Sequence, residues 1–241
     1  EYSEALNNLG DALQMITGVD FSNVVDGGLD LNFLTTADNL KLVGEAAAGS
    51  TEKVEQLRMV CAKQIIVQAV GKTRDEVIQD AYTIWDKIDK DIYVKIPATE
   101  EGLAAIKTLK NEGKRITATG VYTEFQAYMA MACGADYIAP YYNRMRNMNI
   151  DAVAFIGNVA NQIERDHSNS KILAASFHNV EEVNNAIRNG AQAVAMGPDV
   201  MADGLGMPAI EKAVDDFKSD WESVYGKGSS ITVLASQEDL K

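Results

Sequence analysis

The chain has 241 residues, 46% of them hydrophobic, which suits a single domain near the upper end of its size range with ample apolar material for a core. A net charge of −13 argues against nucleic acid or an anionic membrane as partner, so an anionic substrate must be met by local positive charge. No run approaches about 18 continuous apolar residues and no signal-peptide pattern opens the chain, so the cytoplasm is the expected location. Cys61 and Cys133 give no disulfide framework and no CxxC metal spacing, and both read as buried thiols. His167 and His178 lack a metal-like partner at helical spacing, so neither a metal nor a cofactor is expected.

In chain order, residues 2–16 read as a helix, Leu31–Thr36 as a strand and Thr51–Ala62 as a helix. The run Asp20–Val25 cannot be the parallel neighbour of Leu31–Thr36, because Asp26–Asp30 is too short for a crossover. From residue 64 short apolar runs recur at Gln64–Val70, Asp91–Pro97, Arg115–Val121, Tyr137–Tyr142, Lys171–Phe177 and Gln192–Pro198. Amphipathic helical patterns lie between them at Arg74–Lys90, Glu101–Asn111, Glu124–Cys133, Asp151–Glu164 and Val180–Arg188. Gly113, Gly134 and Gly190 stand where helices want a left-handed C-cap. Six such units imply a parallel sheet covered by helices. No phosphate-binding glycine loop follows any strand, which removes the usual reason to prefer an open sheet. The fold expected is an α/β (β/α)8 barrel spanning residues 1–228, followed by a tail, residues 229–241. The β-like run Ile231–Ala235 in that tail is one candidate for strand one, permuted or exchanged between subunits. The other reading is an incomplete first unit with a disordered tail.

A barrel builds its active site from inward-facing residues at the C-terminal ends of its strands. The third strand offers Gln68 there, the fourth Lys95, the fifth Thr119 with Thr117 on the same face, the sixth Tyr141 with Arg144 just beyond, and the seventh Ser176. A lysine in a buried strand is either paired structurally or kept because desolvation lowers its pKa and frees a nucleophilic amine. Each of the others has an innocent reading as well: a hydroxyl bonded to backbone, or a solvated arginine. Five strands in a row carrying a polar group at one end point instead to a shared cavity. An amine, a phenol, an amide and hydroxyls suit imine chemistry with proton transfer, and Arg144 with Ser176 suits an anionic tail on the substrate.

The segments Val-Lys-Ile-Pro-Ala-Thr-x-Glu-Gly-Leu-x-Ala-Ile-Lys (94–107), Ala-Pro-Tyr-Tyr-Asn-Arg (139–144), Ile-Leu-Ala-Ala-Ser-Phe (172–177) and Phe-x-x-Asp-Trp (217–221) resemble the transaldolase family, closest to its small fructose-6-phosphate aldolase branch. The resemblance runs from about residue 58 to 230. It implies a class I aldolase in which Lys95 forms a Schiff base with a dihydroxyacetone-type ketose such as fructose 6-phosphate. Gln68, Thr119 and Tyr141 would hold the catalytic water and move protons, and Arg144 with Ser176 would bind the phosphate. Transaldolases proper usually carry glutamate in place of Gln68 and phenylalanine in place of Tyr141, so both residues point to the aldolase branch.

Two departures bear on the substrate. The family's strand-two ending, Thr-Thr-Asn-Pro, reads Thr35-Thr36-Ala37-Asp38 here, and Ala235 would replace its strand-one aspartate if Ile231–Ala235 is that strand. Two other readings stand beside the aldolase: a transaldolase passing the same unit to an aldose, from a phosphorylated or sulfonated ketose, and a non-catalytic sugar-phosphate-binding barrel. The resemblance also implies a homo-oligomer, a decamer in the family. Residues 209–225 place Ile210, Val214, Phe217, Trp221 and Tyr225 at helical spacing, as a face to bury against another subunit or across the chain's own barrel.

Overall fold

Six parallel strands hydrogen-bond in strict chain order: β1 (Ile66–Gln68), β2 (Tyr93–Pro97), β3 (Ile116–Val121), β4 (Tyr137–Pro140), β5 (Lys171–Ala175) and β6 (Ala193–Ala195). The computed structural model describes residues 66–238. Helices α1 (Arg74–Lys87), α2 (Glu100–Asn111), α3 (Glu124–Ala132), α4 (Tyr142–Asn147), α5 (Ala152–Arg165) and α6 (Val180–Arg188) occupy the links, and α7 (Pro198–Leu205) follows β6. This is the (β/α)8 barrel pattern, six of whose strands lie among the described residues. The segments 2–16, Asp20–Val25, Leu31–Thr36 and Thr51–Ala62, and Cys61, lie outside the described residues.

Local chemistry sets the helix starts. Thr73, Thr99, Thr123, Asp151 and Asn179 each cap the first turn by accepting from a backbone N–H three residues on. Strand alternation then sorts side chains into two cores. On one face Val67, Val94, Ile96, Ile116, Ala118, Ile138, Ile172, Ala174 and Val194 pack with the helices. On the other, Ile66, Tyr137, Leu173 and Ala193 form a separate cluster with Tyr93 and Ala195, and this is the barrel interior. Tyr93 and Tyr137 meet edge to face there at 5.2 Å.

Two elements differ from the sequence expectation. Tyr141 and Tyr142 leave the strand pattern: β4 stops at Pro140, and Tyr141 becomes the residue before α4. The run Ile231–Ala235 is not extended but lies in helix α9 (Ile231–Glu238). Ser230 starts that helix, its hydroxyl accepting from the Val233 N–H and its carbonyl from the Leu234 N–H. The strand preference of β-branched residues depends on packing within a sheet, and here the local cap starts a helix instead.

The chain divides into two compact units between Met201 and Ala202. In the second, α8 (Pro208–Tyr225) leads to α9 through a link in which Glu222 accepts from the Gly228 N–H and Lys218 donates to the Ser229 carbonyl.

Gly102 in α2 packs directly under the end of β2, where an added Cβ would lie 1.9 Å from the Pro97 carbonyl oxygen. That oxygen is backbone and cannot swing aside. Gly102→Ala should therefore destabilise the protein by about 1–3 kcal/mol, read as a lowered Tm in thermal unfolding.

Candidate active site

The strands bring the polar residues to one place. In register, Gln68 stands beside Lys95 and Lys95 beside Thr117, so all three project to the interior face. The Gln68 amide nitrogen donates both protons to backbone, to the Ala69 carbonyl at 2.7 Å and to the Lys95 carbonyl at 2.9 Å. Its Oε1 is thereby turned into the available acceptor. Pro97 pairs with Thr119, whose buried hydroxyl shares a 2.9 Å hydrogen bond with the Tyr141 phenol. Thr117 is fully buried, with no partner for its hydroxyl among the described residues.

Tyr141 reaches the site because β3 is irregular. Its pairing with β4 shifts between Ala118 and Val121, at Gly120, which takes a left-handed φ of 64°. Past the shift, the Tyr141 N–H bonds to the Val121 carbonyl and Tyr141 bridges to Ala175. Tyr122 braces the phenol ring edge-on at 5.6 Å.

Two cations lie against that ring: Lys95 Nζ at 5.8 Å and the Arg144 guanidinium carbon at 4.7 Å from its centroid. Burial over the apolar interior lowers the Lys95 amine to about 8, and the positive charge of Arg144 acts in the same direction. At pH 7 such an amine is roughly 10% free base, against about 0.03% for an ordinary lysine. Arg144, on the exposed side of α4, forms no ion pair with any carboxylate among the described residues. Ser176 ends the β5 side of the mouth with a left-handed φ of 65°, and its carbonyl accepts from the Asn143 N–H at 2.9 Å. A serine in that conformation costs energy, which a surrounding structure must hold in place.

Gln68 thus ends β1, Lys95 stands at the centre of β2, Thr119 lies near the end of β3, Tyr141 and Ser176 directly follow β4 and β5, and Arg144 lies in α4. Among the described residues no cluster of His, Cys, Asp and Glu could hold a metal ion, and no helix is long and apolar enough to cross a membrane.

Sequence comparison matches residues 44–237 to the family described as Transaldolase/Fructose-6-phosphate aldolase. The chain belongs to this family. A Streptococcus pneumoniae protein named "Probable fructose-6-phosphate aldolase" is 46% identical over 179 residues, covering 73% of this chain and 81% of that protein. Two solved structures are similar at a lower level. An inosine 5' monophosphate dehydrogenase from Legionella pneumophila gives a TM-score of 0.48 at 16% identity, over 66% of this chain and 48% of that one. A GMP reductase from Trypanosoma brucei gives 0.45 at 13% identity, over 57% and 30%. The chain thus spans less than half the length of either structure. As a transaldolase/fructose-6-phosphate aldolase family member it is an enzyme of the Schiff-base aldolase/transaldolase kind.

Three residues that build the mouth of this family member escaped the sequence analysis. Tyr122 follows β3 and reads as an ordinary aromatic. Asn143 was only a letter in the Asn-Arg motif, yet its side chain donates to Glu182 at 2.9 Å. Glu182 reads as a carboxylate in the first turn of a capped helix, Asn179-Val180-Glu181-Glu182, and only its 1% exposure marks it out.

Lys95 should titrate with a midpoint near 8 when its side-chain resonance is followed by NMR on lysine-labelled protein. Arg144→Ala removes a charge that opposes protonation, so the midpoint should move upward in that variant. An unchanged midpoint would show that Arg144 does not act on the amine.

Proposed function

We propose that this enzyme cleaves and forms a ketose phosphate, fructose 6-phosphate being the first candidate, through an imine on Lys95. The observation that carries the proposal is the amine of Lys95, lowered to about 8 on the inner face of β2 beside Gln68 and Thr117, with Tyr141 and Arg144 near it. The unprotonated Nζ attacks the ketone carbon, and loss of water leaves an iminium. The bond between the carbons α and β to the iminium then breaks, its electron pair forming the enamine double bond and neutralising the iminium. As it breaks, the β-hydroxyl gives up its proton and the β-carbon fragment leaves as an aldehyde. The resulting enamine is protonated at carbon, and water hydrolyses the imine to release dihydroxyacetone. Tyr141, coupled to Thr119, is the group placed to move these protons, and Gln68 Oε1 is the acceptor for the water. Arg144 and Ser176 flank the opening through which the phosphorylated end extends. Gln68 and Tyr141, where transaldolases proper usually carry glutamate and phenylalanine, favour the aldolase over transfer to an aldose acceptor.

The assembly proposed is a homo-oligomer whose neighbouring copy covers α8. Along that helix Ile210, Val214, Phe217, Val224 and Tyr225 are 46–71% exposed and none of its residues is buried, although Trp221 and Tyr225 stack at 4.4 Å. A second copy of this face is the apolar surface best matched to it.

Borohydride reduction in the presence of fructose 6-phosphate, followed by peptide mapping, should place the adduct on Lys95. Label on another lysine, or none, would remove the nucleophile from this scheme. Fructose 6-phosphate cleavage that proceeds without an added aldose supports the aldolase; a strict requirement for the aldose would make the enzyme a transaldolase. Arg144→Ala should lose roughly 2 kcal/mol in kcat/KM for the phosphorylated ketose and much less for a neutral one, and equal losses would withdraw the anion role. Light scattering should give a mass several times that of the chain, falling toward the monomer in Phe217→Asp.

A further inference from the structure

Arg144 and Ser176 arrive from two separate segments, α4 and the loop after β5, and can meet one anion only if those segments keep a fixed spacing. The α4 helix is poorly equipped to hold itself. It has six residues and no side-chain cap, since Tyr141 at its N-cap makes no such bond. Tyr142 and Met145 bury its inner side, Tyr142 against Phe177 at 5.6 Å, and the polar tie is one buried carboxylate from α6. Glu182 Oε1 accepts from the Asn143 side chain at 2.9 Å and from the Arg146 guanidinium at 2.8 Å, one residue before and two after Arg144. Glu182 Oε2 accepts from the His178 N–H at 2.9 Å, two residues beyond Ser176. Each oxygen therefore grips one segment, and the Asn143 N–H to Ser176 carbonyl bond closes the loop between them.

The same contact sorts the two arginines of α4. The side chain of Glu182 is 1% exposed and that of Arg146 51%, so the buried charge takes Arg146 as its counterion at 2.8 Å. Arg144 is left as the cation at the mouth.

We infer that Glu182 is a positioning residue for substrate-anion binding: it clamps the Arg144 helix to the Ser176 loop and draws Arg146 away from the site. This rests on the anion role proposed for Arg144 and Ser176. The clamp acts on binding of the phosphorylated end and leaves the imine-forming groups on β1–β3 where they are.

The test compares Glu182→Gln, Glu182→Ala, Arg144→Ala and the double variants, with fructose 6-phosphate as substrate and dihydroxyacetone as the neutral probe for borohydride fixation on Lys95. Glu182→Ala should raise KM for fructose 6-phosphate about tenfold while kcat changes less than about threefold. Dihydroxyacetone should still be fixed on Lys95. Glu182→Gln, which keeps one acceptor oxygen and nearly the same shape, should recover part of the loss, and it carries the test if the alanine variant does not fold. Combined with Arg144→Ala, either substitution should add less than about twofold, because both act through one contact. A loss that falls equally on KM for fructose 6-phosphate and on dihydroxyacetone fixation, or that multiplies with Arg144→Ala, would overturn the clamp. An Arg144→Ala variant with no preference between anionic and neutral ketoses would remove the anion site itself and the clamp with it. A selective Arg144→Ala beside an indifferent Glu182→Gln would remove the clamp alone.

Discussion

An amine on the inner face of β2 has to coexist with an interior built from Ile66, Tyr93, Tyr137 and Leu173, and most of the site follows from how that conflict is resolved. Taking an ammonium out of water is costly, and the group answers by giving up its proton more readily. A carboxylate nearby would undo this by stabilising the charged form. Among the described residues, the groups that share its face or lie at its mouth include Gln68, Thr117, Thr119 and Tyr141, none of them a carboxylate. In a chain of net charge −13 that is a real constraint: among the described residues, no carboxylate is among the causes of the Lys95 shift. Among the described residues, the cation that acts on Lys95 is Arg144, which pushes its pKa in the same direction as burial. Desolvation makes the nucleophile, and neighbours that are not carboxylates preserve it.

Strand periodicity decides which residues take part. A side-chain repeat of two puts Val94 and Ile96 against the helices and Tyr93 and Lys95 inward, so a one-residue slip of β2 would bury the amine under α1 and α2. Two devices pin that strand. Trp85 Nε1 donates to the Ile92 carbonyl at 2.9 Å just before it, and Gly102 lets α2 close on the Pro97 carbonyl just after it. On the neighbouring strand the rule is broken once, at Gly120, and the break brings the Tyr141 phenol within hydrogen-bonding distance of Thr119. Regular pairing delivers the lysine, and an irregularity delivers its partner.

This contrast also explains what could be read in the sequence. Alternating apolar runs and capped helices are local patterns, and each described strand and intervening helix of the first unit lies within a few residues of where they place it, the short α4 and α7 excepted. Lys95, Gln68 and Thr119 were legible because a polar residue at a fixed point on a buried strand stands out. The helix at Ile231–Glu238 was not, since a β-branched run carries no record of whether a strand lies beside it, while Ser230 supplies a cap whatever lies beside it. Glu182 was invisible for a different reason. Its carboxylate sits where helix N-termini ordinarily carry one, and its three donors come from residues 143, 146 and 178, up to 39 positions away.

The mouth of the barrel shows the same division between framework and function. Strands hold Gln68, Lys95 and Thr119 by backbone pairing that any sequence of suitable pattern would make, whereas Arg144 and Ser176 lie on connecting segments with little regular structure of their own. Such segments keep function only when something outside them fixes their geometry. Ser176 shows the cost in its left-handed backbone, which the Asn143 N–H helps to hold by bonding to its carbonyl. A six-residue helix offers few internal bonds against the entropy of ordering two long arginines. Burying a charge at Glu182 would ordinarily be a liability, but three donors satisfy it, and one of them is a cation that solvent still reaches. The stability of the barrel does not explain why that carboxylate is there; the need to hold two loops at one spacing does.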